Sequence, residues 1–265
     1  MNELDLQLIS ACRQGSASLV NQLIKTGADV NCKNINNESP LLITCLSGHY
    51  EIVKILIDNN VDINMNIPRS STLVSDTCKN GNLNIFKLLE QAGADINHKP
   101  EYLLSNILTA ALNSNESIVL YLLDNHNYDF NILEQGYELL TYCAAGGLIN
   151  VVDILIKRGI KIVDKNNTNL NPVYSASRNG NLEIVKKMIS LGADIKFKDN
   201  IGNNILHAAV QSGNLDLIKY LIEFGFDINS FNCNRQTPLH LACLQGLAYV
   251  CEYLRFFRKK EAISN

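Results

Sequence analysis

The sequence predicts an all-α repeat solenoid, a fold in which pairs of short helices follow one another along the chain. Glycine recurs every 33 residues, as at Gly15, Gly48 and Gly81. Apolar residues lie four, five, eight and nine positions after each glycine, as at Ile184, Val185, Met188 and Ile189, which is the stripe of one helix face. A fixed period combined with a helical pattern is typical of a repeat protein.

Eight repeats share this register over residues 5–258, and each has a turn position between its first and second helix. These positions are Gly15, Gly48, Gly81, Ser114, Gly147, Gly180, Gly213 and Gly246. We therefore expect one repeat domain over residues 1–260, followed by a tail at 261–265. Glycine suits the turn because it adopts a left-handed conformation without a Cβ clash.

The start of the first helix is predicted by a cap residue followed by proline, as in Ser39-Pro40, Asn171-Pro172 and Thr237-Pro238. Serine, threonine and asparagine accept hydrogen bonds from the free N–H groups of a helix start. Proline is tolerated in the first turn, where its missing N–H has no partner to lose.

These motifs identify a family resemblance. The stretch Thr237-Pro-Leu-His-Leu-Ala-Cys243 and the endings Gly27-Ala-Asp-Val-Asn31 and Gly93-Ala-Asp-Ile-Asn97 resemble the ankyrin-repeat family over nearly the whole chain. The resemblance implies an ankyrin-repeat stack of antiparallel helix pairs with β-hairpin fingers between them. It also implies a protein-binding function, and structural hydrogen bonds for His207 and His240.

Composition narrows the function further. A net charge of −3 and a pI of about 6.0 argue against nucleic-acid binding. No apolar run is long enough for a membrane span. The acidic start at Met1–Asp5 is no signal peptide, so we expect a cytoplasmic or nuclear protein, or one in the host cytoplasm if it is an effector.

The cysteines fit the repeat better than a disulfide framework. Cys12, Cys45, Cys78 and Cys243 share one position on the first helix, and Cys143 comes one residue before it, so we expect all five to be buried small residues. Cys32 and Cys233 fall in fingers and are expected to be exposed. No Ser–His–Asp set, phosphate loop or zinc-type cysteine spacing occurs, so the sequence predicts neither an enzyme nor a cofactor or metal site.

The resemblance implies that a partner binds the finger tips and the two residues before each turn glycine. This wider set includes Ile35, Leu46, Ile201 and Leu244. Arg69, Tyr102, Tyr137 and Arg178 are favoured within it, because Tyr and Arg are enriched in binding hot spots. The remaining candidates are Lys79, Asn200, Gln211, Gln236 and Gln245. We expect a protein partner and a chain that is monomeric alone.

The resemblance implies one modification as well. Ankyrin repeats can be substrates of an asparaginyl hydroxylase that acts on the final Asn of the Gly-Ala-Asp-Val-Asn motif, often with Leu eight residues earlier. The candidates are Asn31, Asn64, Asn97, Asn131 and Asn229, which follow Leu23, Leu56, Leu89, Leu123 and Leu221. The alternative is that these residues are only structural.

Three roles remain open for the chain: an adaptor or scaffold for one protein, a substrate-recognition subunit of a ubiquitin ligase, and a bacterial or viral effector acting on host proteins. The repeat pattern is weakest in the middle, where Ser114 replaces a turn glycine and the following finger shifts phase. Repeats four and five are therefore predicted to form the softest interface, with ordinary sequence drift as the alternative.

Overall fold

The computed structural model describes residues 2–64, 72–96, 105–126, 133–162 and 171–264, with side chains placed from residue 136 in the helix that begins at Leu133 and up to residue 257 in the last helix. The described residues form sixteen helices and no strand. The helices are α1 (Glu3–Gln14), α2 (Ala17–Lys25), α3 (Pro40–Ser47), α4 (Tyr50–Asp58), α5 (Leu73–Asn80), α6 (Leu83–Gln91), α7 (Asn106–Leu112), α8 (Glu116–Asn125), α9 (Leu133–Ala145), α10 (Ile149–Lys157), α11 (Pro172–Arg178), α12 (Leu182–Ser190), α13 (Ile205–Ser212), α14 (Leu215–Phe224), α15 (Pro238–Leu244) and α16 (Ala248–Ser264).

The helices form eight consecutive pairs within two compact bodies, Met1–Asn127 and Tyr128–Asn265. In the N-terminal body the first helices α1, α3, α5 and α7 pack side by side, and the second helices α2, α4, α6 and α8 form a parallel row. In the C-terminal body α9, α11, α13 and α15 pack in the same way. The predicted all-helical repeat fold is confirmed.

The predicted helix starts and turns are also confirmed. The side chains of Ser39, Asn171 and Thr237 accept hydrogen bonds from the backbone three residues on, and each is followed by proline in the first turn. The turn glycines that end the first helices all have positive φ, for example 77° at Gly48. Ser114 adopts the same left-handed conformation at φ 59°, although it has a Cβ atom.

Asparagine side chains at the start of several second helices join neighbouring pairs. The Nδ2 atom of Asn115 donates to the carbonyls of Cys78 and Lys79, at 2.7 and 2.9 Å. Asn181 makes the same bonds to Ala144 and Ala145. These carbonyls lie at the C-terminal end of the first helix of the previous pair, α5 or α9, where no intrahelical donor is available.

The core consists of large apolar residues from both helices of each pair, such as Leu8 and Leu41 on first helices and Ile52 and Leu89 on second helices, with small residues beside them on the first helices. Cys12, Cys45, Cys78 and Cys143 are buried there, as predicted. Burial raises the pKa of the Cys12 and Cys78 thiols to about 12, so both remain protonated. The prediction for Cys243 is wrong, because this thiol is exposed on α15.

The fingers differ from the predicted β-hairpins. The three described fingers are turns without strands, and each is closed by short backbone bonds, such as Asn34 N–H to the carbonyl of Glu38 at 3.0 Å, together with a side chain. The Oδ1 atom of Asn34 accepts from the backbone N–H groups of Asn36 and Glu38, both at 2.9 Å. Asp199 and Asn232 make the same pair of bonds in the fingers before α13 and α15.

Two residues predicted to be exposed in fingers are buried. Cys32 lies beneath the first helix pair, with its sulfur 4.0 Å from the carbonyl oxygen of Asp5. Tyr137 is 7% exposed and lies within α9, which begins at Leu133 and therefore includes the segment that the repeat register assigned to a finger. Leu133, Tyr137, Leu140 and Ala144 recur at helical spacing, which explains why this segment continues the helix.

Candidate protein-binding surface

A row of exposed side chains runs across the first helices of the N-terminal body. Arg13, Leu46, Lys79 and Leu112 occupy one repeat position, two residues before the turn, on four helices that pack side by side. We call these four residues the N-terminal inner row. Leu46 and Leu112 are 46% and 52% exposed, and the Arg13 guanidinium lies 2.7 Å from a carboxylate oxygen of Glu38. Apolar and basic side chains therefore alternate along the row.

The same position in the C-terminal body is occupied by Ala145, Arg178, Gln211 and Leu244. Arg178 is exposed and Gln211 is half-buried. Leu244 is 71% exposed, and Gln245 beside it is exposed as well. This row is more polar than the N-terminal inner row but also presents a leucine to solvent.

The finger tips add exposed apolar side chains to these rows. Ile35 is 98% exposed at a tip whose backbone is fixed by the Asn34 side chain. Asn200 and Ile201 are exposed at the corresponding tip in the C-terminal body. When a partner covers an exposed isoleucine on an ordered turn, the free energy of the complex falls, because apolar surface leaves water.

His207 ties a helix start to the next finger, as the family resemblance implies. Its Nε2 atom lies 3.1 Å from the carbonyl oxygen of Gln236, and its Nδ1 atom lies 2.7 Å from the side-chain oxygen and 3.4 Å from the backbone nitrogen of Asn204. Burial lowers the pKa of His207, although the Gln236 carbonyl and the Asp199 carboxylate oppose the shift. This histidine is structural.

The predicted site residues differ in how far they are exposed to a partner. Lys79, Arg178, Asn200 and Gln245 are exposed, and Gln211 is half-buried at its inner-row position. Gln236 is bound within its own finger, since its amide oxygen accepts from Asn232 at 3.1 Å, and it presents less to a partner than we predicted. Tyr137 is buried and is excluded as an exposed contact. Arg69 and Tyr102 lie outside the described residues.

The predicted contacts do not include Arg13 and Leu112 of the N-terminal inner row. These residues lie two positions before Gly15 and Ser114, as Leu46 lies two positions before Gly48. Applying this offset to every turn position identifies both.

The asparagines proposed for hydroxylation form bridges between neighbouring turns. The Oδ1 atom of Asn31 accepts from the backbone N–H of Asp62 at 2.8 Å, and Asn64 accepts from Asp95 at 3.1 Å. Asn31 and Asn64 are exposed and Asn229 is half-buried. Asn97 and Asn131 lie outside the described residues. Hydroxylation stays a prediction.

The residues that the structure describes contain no group of three or more His, Cys, Asp or Glu side chains placed to hold a metal ion. No helix in this part of the chain is both long and apolar enough to cross a membrane.

Sequence comparison decides the family. The family model for ankyrin repeats (3 copies) matches residues 8–100, 107–199 and 173–262, which together are most of the chain. The chain belongs to the ankyrin-repeat family. Ankyrin repeats are generally protein–protein interaction modules and typically non-catalytic, which agrees with the exposed apolar positions of this ankyrin-repeat chain.

Among solved structures, the human ASB11 ankyrin repeat domain is similar to this ankyrin-repeat chain. The two are 24% identical, and the match covers 89% of this chain and 90% of that one with a TM-score of 0.47. The comparison with curated proteins gave no match.

Proposed function

We propose that this ankyrin-repeat chain is a non-catalytic adaptor that binds a partner protein through its inner rows and finger tips. The observation that supports this most directly is the N-terminal inner row, where Leu46 and Leu112 are exposed at the same repeat position on packed helices. Because each leucine is about half exposed, covering it contributes about half of the roughly 1.5–3 kcal/mol expected for a fully exposed side chain. The two leucines are two repeats apart, so a partner that contacts both must extend along the row.

The charges of the row indicate the chemistry of the partner. Lys79 lies between the two leucine positions, and Arg13 precedes them. Packed helices are about 10 Å apart, so successive row residues have roughly that spacing. A partner segment with apolar and acidic side chains in alternation matches this surface. Lys79 would steer the encounter, since Arg13 is already paired with Glu38, while the leucines would slow dissociation.

Replacing both leucines tests the proposal. We expect the Leu46→Glu/Leu112→Glu variant, expressed in its native cells and affinity-purified, to lose a partner that the wild-type chain retains, because two apolar anchors become charged. The measurement is quantitative mass spectrometry of the proteins that copurify, with circular dichroism to show that the variant is folded.

The matched control is Leu19→Glu/Tyr50→Glu, which changes two exposed apolar residues on the second helices α2 and α4 of the same body. It should retain the partner. If both double variants copurify the same proteins as the wild type, the inner row is not the binding surface.

The same measurement separates the finer roles. Ligase subunits among the partners of the wild-type chain would favour a substrate-recognition subunit, and proteins of a host cell would favour an effector. One stable partner outside both groups would favour the adaptor role.

A further inference from the structure

Two thiols meet in the last described helix pair. The Sγ atoms of Cys243 on α15 and Cys251 on α16 are 3.3 Å apart, and both cysteines are free. Cys243 is exposed and Cys251 is half-buried. Both line an open cleft that also contains Arg255 and Phe256. A small oxidant therefore has access to the pair.

The repeat register shows that this pair is unusual within the chain. The two equivalent positions in the other repeats hold Cys12 and Val20, Cys45 and Val53, Cys78 and Phe86, Ala111 and Val119, Ala144 and Val152, Ser177 and Val185, and Val210 and Ile218. All of these residues are buried, and no other repeat has two cysteines there. Of the eight repeats, only the last has two cysteines at these positions, and only there are the two positions accessible to solvent.

We propose that Cys243 and Cys251 form a redox-active dithiol, a modification site that low-molecular-weight disulfides such as glutathione disulfide oxidise to a disulfide within one helix pair. The sulfurs must approach by roughly 1.3 Å to reach the S–S bond length of about 2.05 Å. The bond would join the first helix of the pair to the second without recruiting any other element.

The reaction consists of two thiol–disulfide exchanges. The exposed Cys243 thiolate attacks one sulfur of the oxidant, which forms a mixed disulfide and releases one thiolate. Cys251 then loses its proton, attacks the Cys243 sulfur and releases the second thiolate. The cysteine pair loses two electrons and two protons, and the oxidant is reduced to two thiols.

The order of these steps follows from the two environments. Partial burial, together with the hydrogen bond to Cys243, raises the pKa of Cys251, which makes it the poorer first nucleophile. Arg255 opposes this shift and favours the thiolate that the second step requires. The buried Cys45 lies in an apolar core that also raises its pKa, so it is not expected to react.

The experiment treats the folded, reduced full chain with glutathione disulfide, blocks free thiols by alkylation and measures the intact mass. We expect an internal disulfide, seen as two cysteines that are neither alkylated nor bound to glutathione, whereas the exposed Cys233 has no neighbouring thiol to displace glutathione. Chymotryptic cleavage after Tyr249 separates the two cysteines, so their peptides should stay linked until a reductant is added.

Three variants make the result specific. Cys251→Ser should stop at the glutathione adduct on Cys243, because the resolving thiol is absent. Cys233→Ser, which removes an exposed finger cysteine, should form the internal disulfide as the wild type does. Val53→Cys places a second thiol beside the buried Cys45 at the same spacing, and this added pair should stay reduced while the chain is folded.

Persistent glutathione adducts on Cys243 or Cys251 of the wild-type chain, or linked peptides that do not contain both of these cysteines, would overturn the proposal. So would oxidation of the Val53→Cys pair in the folded chain at the rate of the Cys243–Cys251 pair, since exposure would then not select the site.

Discussion

Single residues in left-handed conformation define the turns of every described helix pair. At Gly48 this conformation has no steric cost, because glycine lacks a Cβ atom. Ser114 adopts nearly the same φ, and its Cβ atom makes the conformation less favourable. The backbone is therefore imposed by the packing of the pair, and the serine tolerates it at a cost.

Exchanging these two residue types measures that cost. We expect Ser114→Gly to raise the free energy of unfolding by about 0.5–1 kcal/mol, because the strain at φ 59° is removed. Gly48→Ser should lower it by about 1 kcal/mol, since a Cβ atom there meets Asn82 only at an ordinary 3.5 Å and the φ effect is isolated. Urea unfolding at constant m-value measures both, and equal stabilities for the three proteins would show that the turn has no residue preference.

The sequence predicts correctly the residues whose role involves only the adjacent turn of chain. Its predictions are less reliable for burial, which depends on the elements that pack over a residue. Ser39 and Pro40 are recognisable from residue type alone, because a cap involves only the next turn of chain. Cys45 and Cys243 occupy the same repeat position, yet one is buried and the other exposed. That difference comes from which described elements pack over each thiol, and no local pattern records it.

At the scale of elements, a finger is an ordered turn that is tied to the helix before it and to the next finger. The Asp199 side chain closes one tip, and the backbone N–H of Cys233 in the next finger donates to the carbonyl of Ile201 at 2.9 Å. His207 adds a second link, from the start of α13 to Gln236. The fingers of this body therefore support one another through polar contacts.

The link through His207 should make stability depend on pH. The folded pKa of His207 lies below its unfolded value of about 6.5, so the unfolded chain binds the proton more readily. The contribution of this residue is complete above about pH 6.5 and is lost as the pH falls through the folded pKa. Urea unfolding at about pH 7.5 and about pH 5.5 should show a smaller loss of stability for His207→Gln than for the wild type. Parallel losses would assign the pH dependence to other groups.

Element boundaries were the weaker part of the sequence prediction. The repeat register predicts a finger after Asn131, but α9 begins at Leu133 and buries Tyr137. Turn-type residues and a helical apolar pattern compete in this segment, and the helical pattern prevails in the fold. The choice of Tyr137 as a contact rested on hot-spot statistics, which do not consider burial, and Tyr137 is buried while Leu112 is 52% exposed.

At the scale of the molecule, stability in a repeat protein is close to a sum of terms for each repeat and its neighbours. Two local features lower the stability of the fourth pair, α7 and α8. The side chain of Ser105 makes no cap hydrogen bond to α7, whereas Asn2, Ser39 and Thr72 cap α1, α3 and α5. A missing cap costs about 1 kcal/mol, and the strained turn at Ser114 adds a similar amount.

This difference predicts uneven opening within the N-terminal body. Amide protons of α7 and α8 should exchange with solvent faster than those of α3 to α6, because local unfolding of the fourth pair requires less free energy. Hydrogen exchange followed by mass spectrometry on the full chain measures this directly. Ser114→Gly should slow exchange in α7 and α8 and leave α3 and α4 unchanged, which distinguishes turn strain from a general loss of stability. Equal protection of all these helices in the wild-type chain would mean that packing compensates for the missing cap and the strained turn.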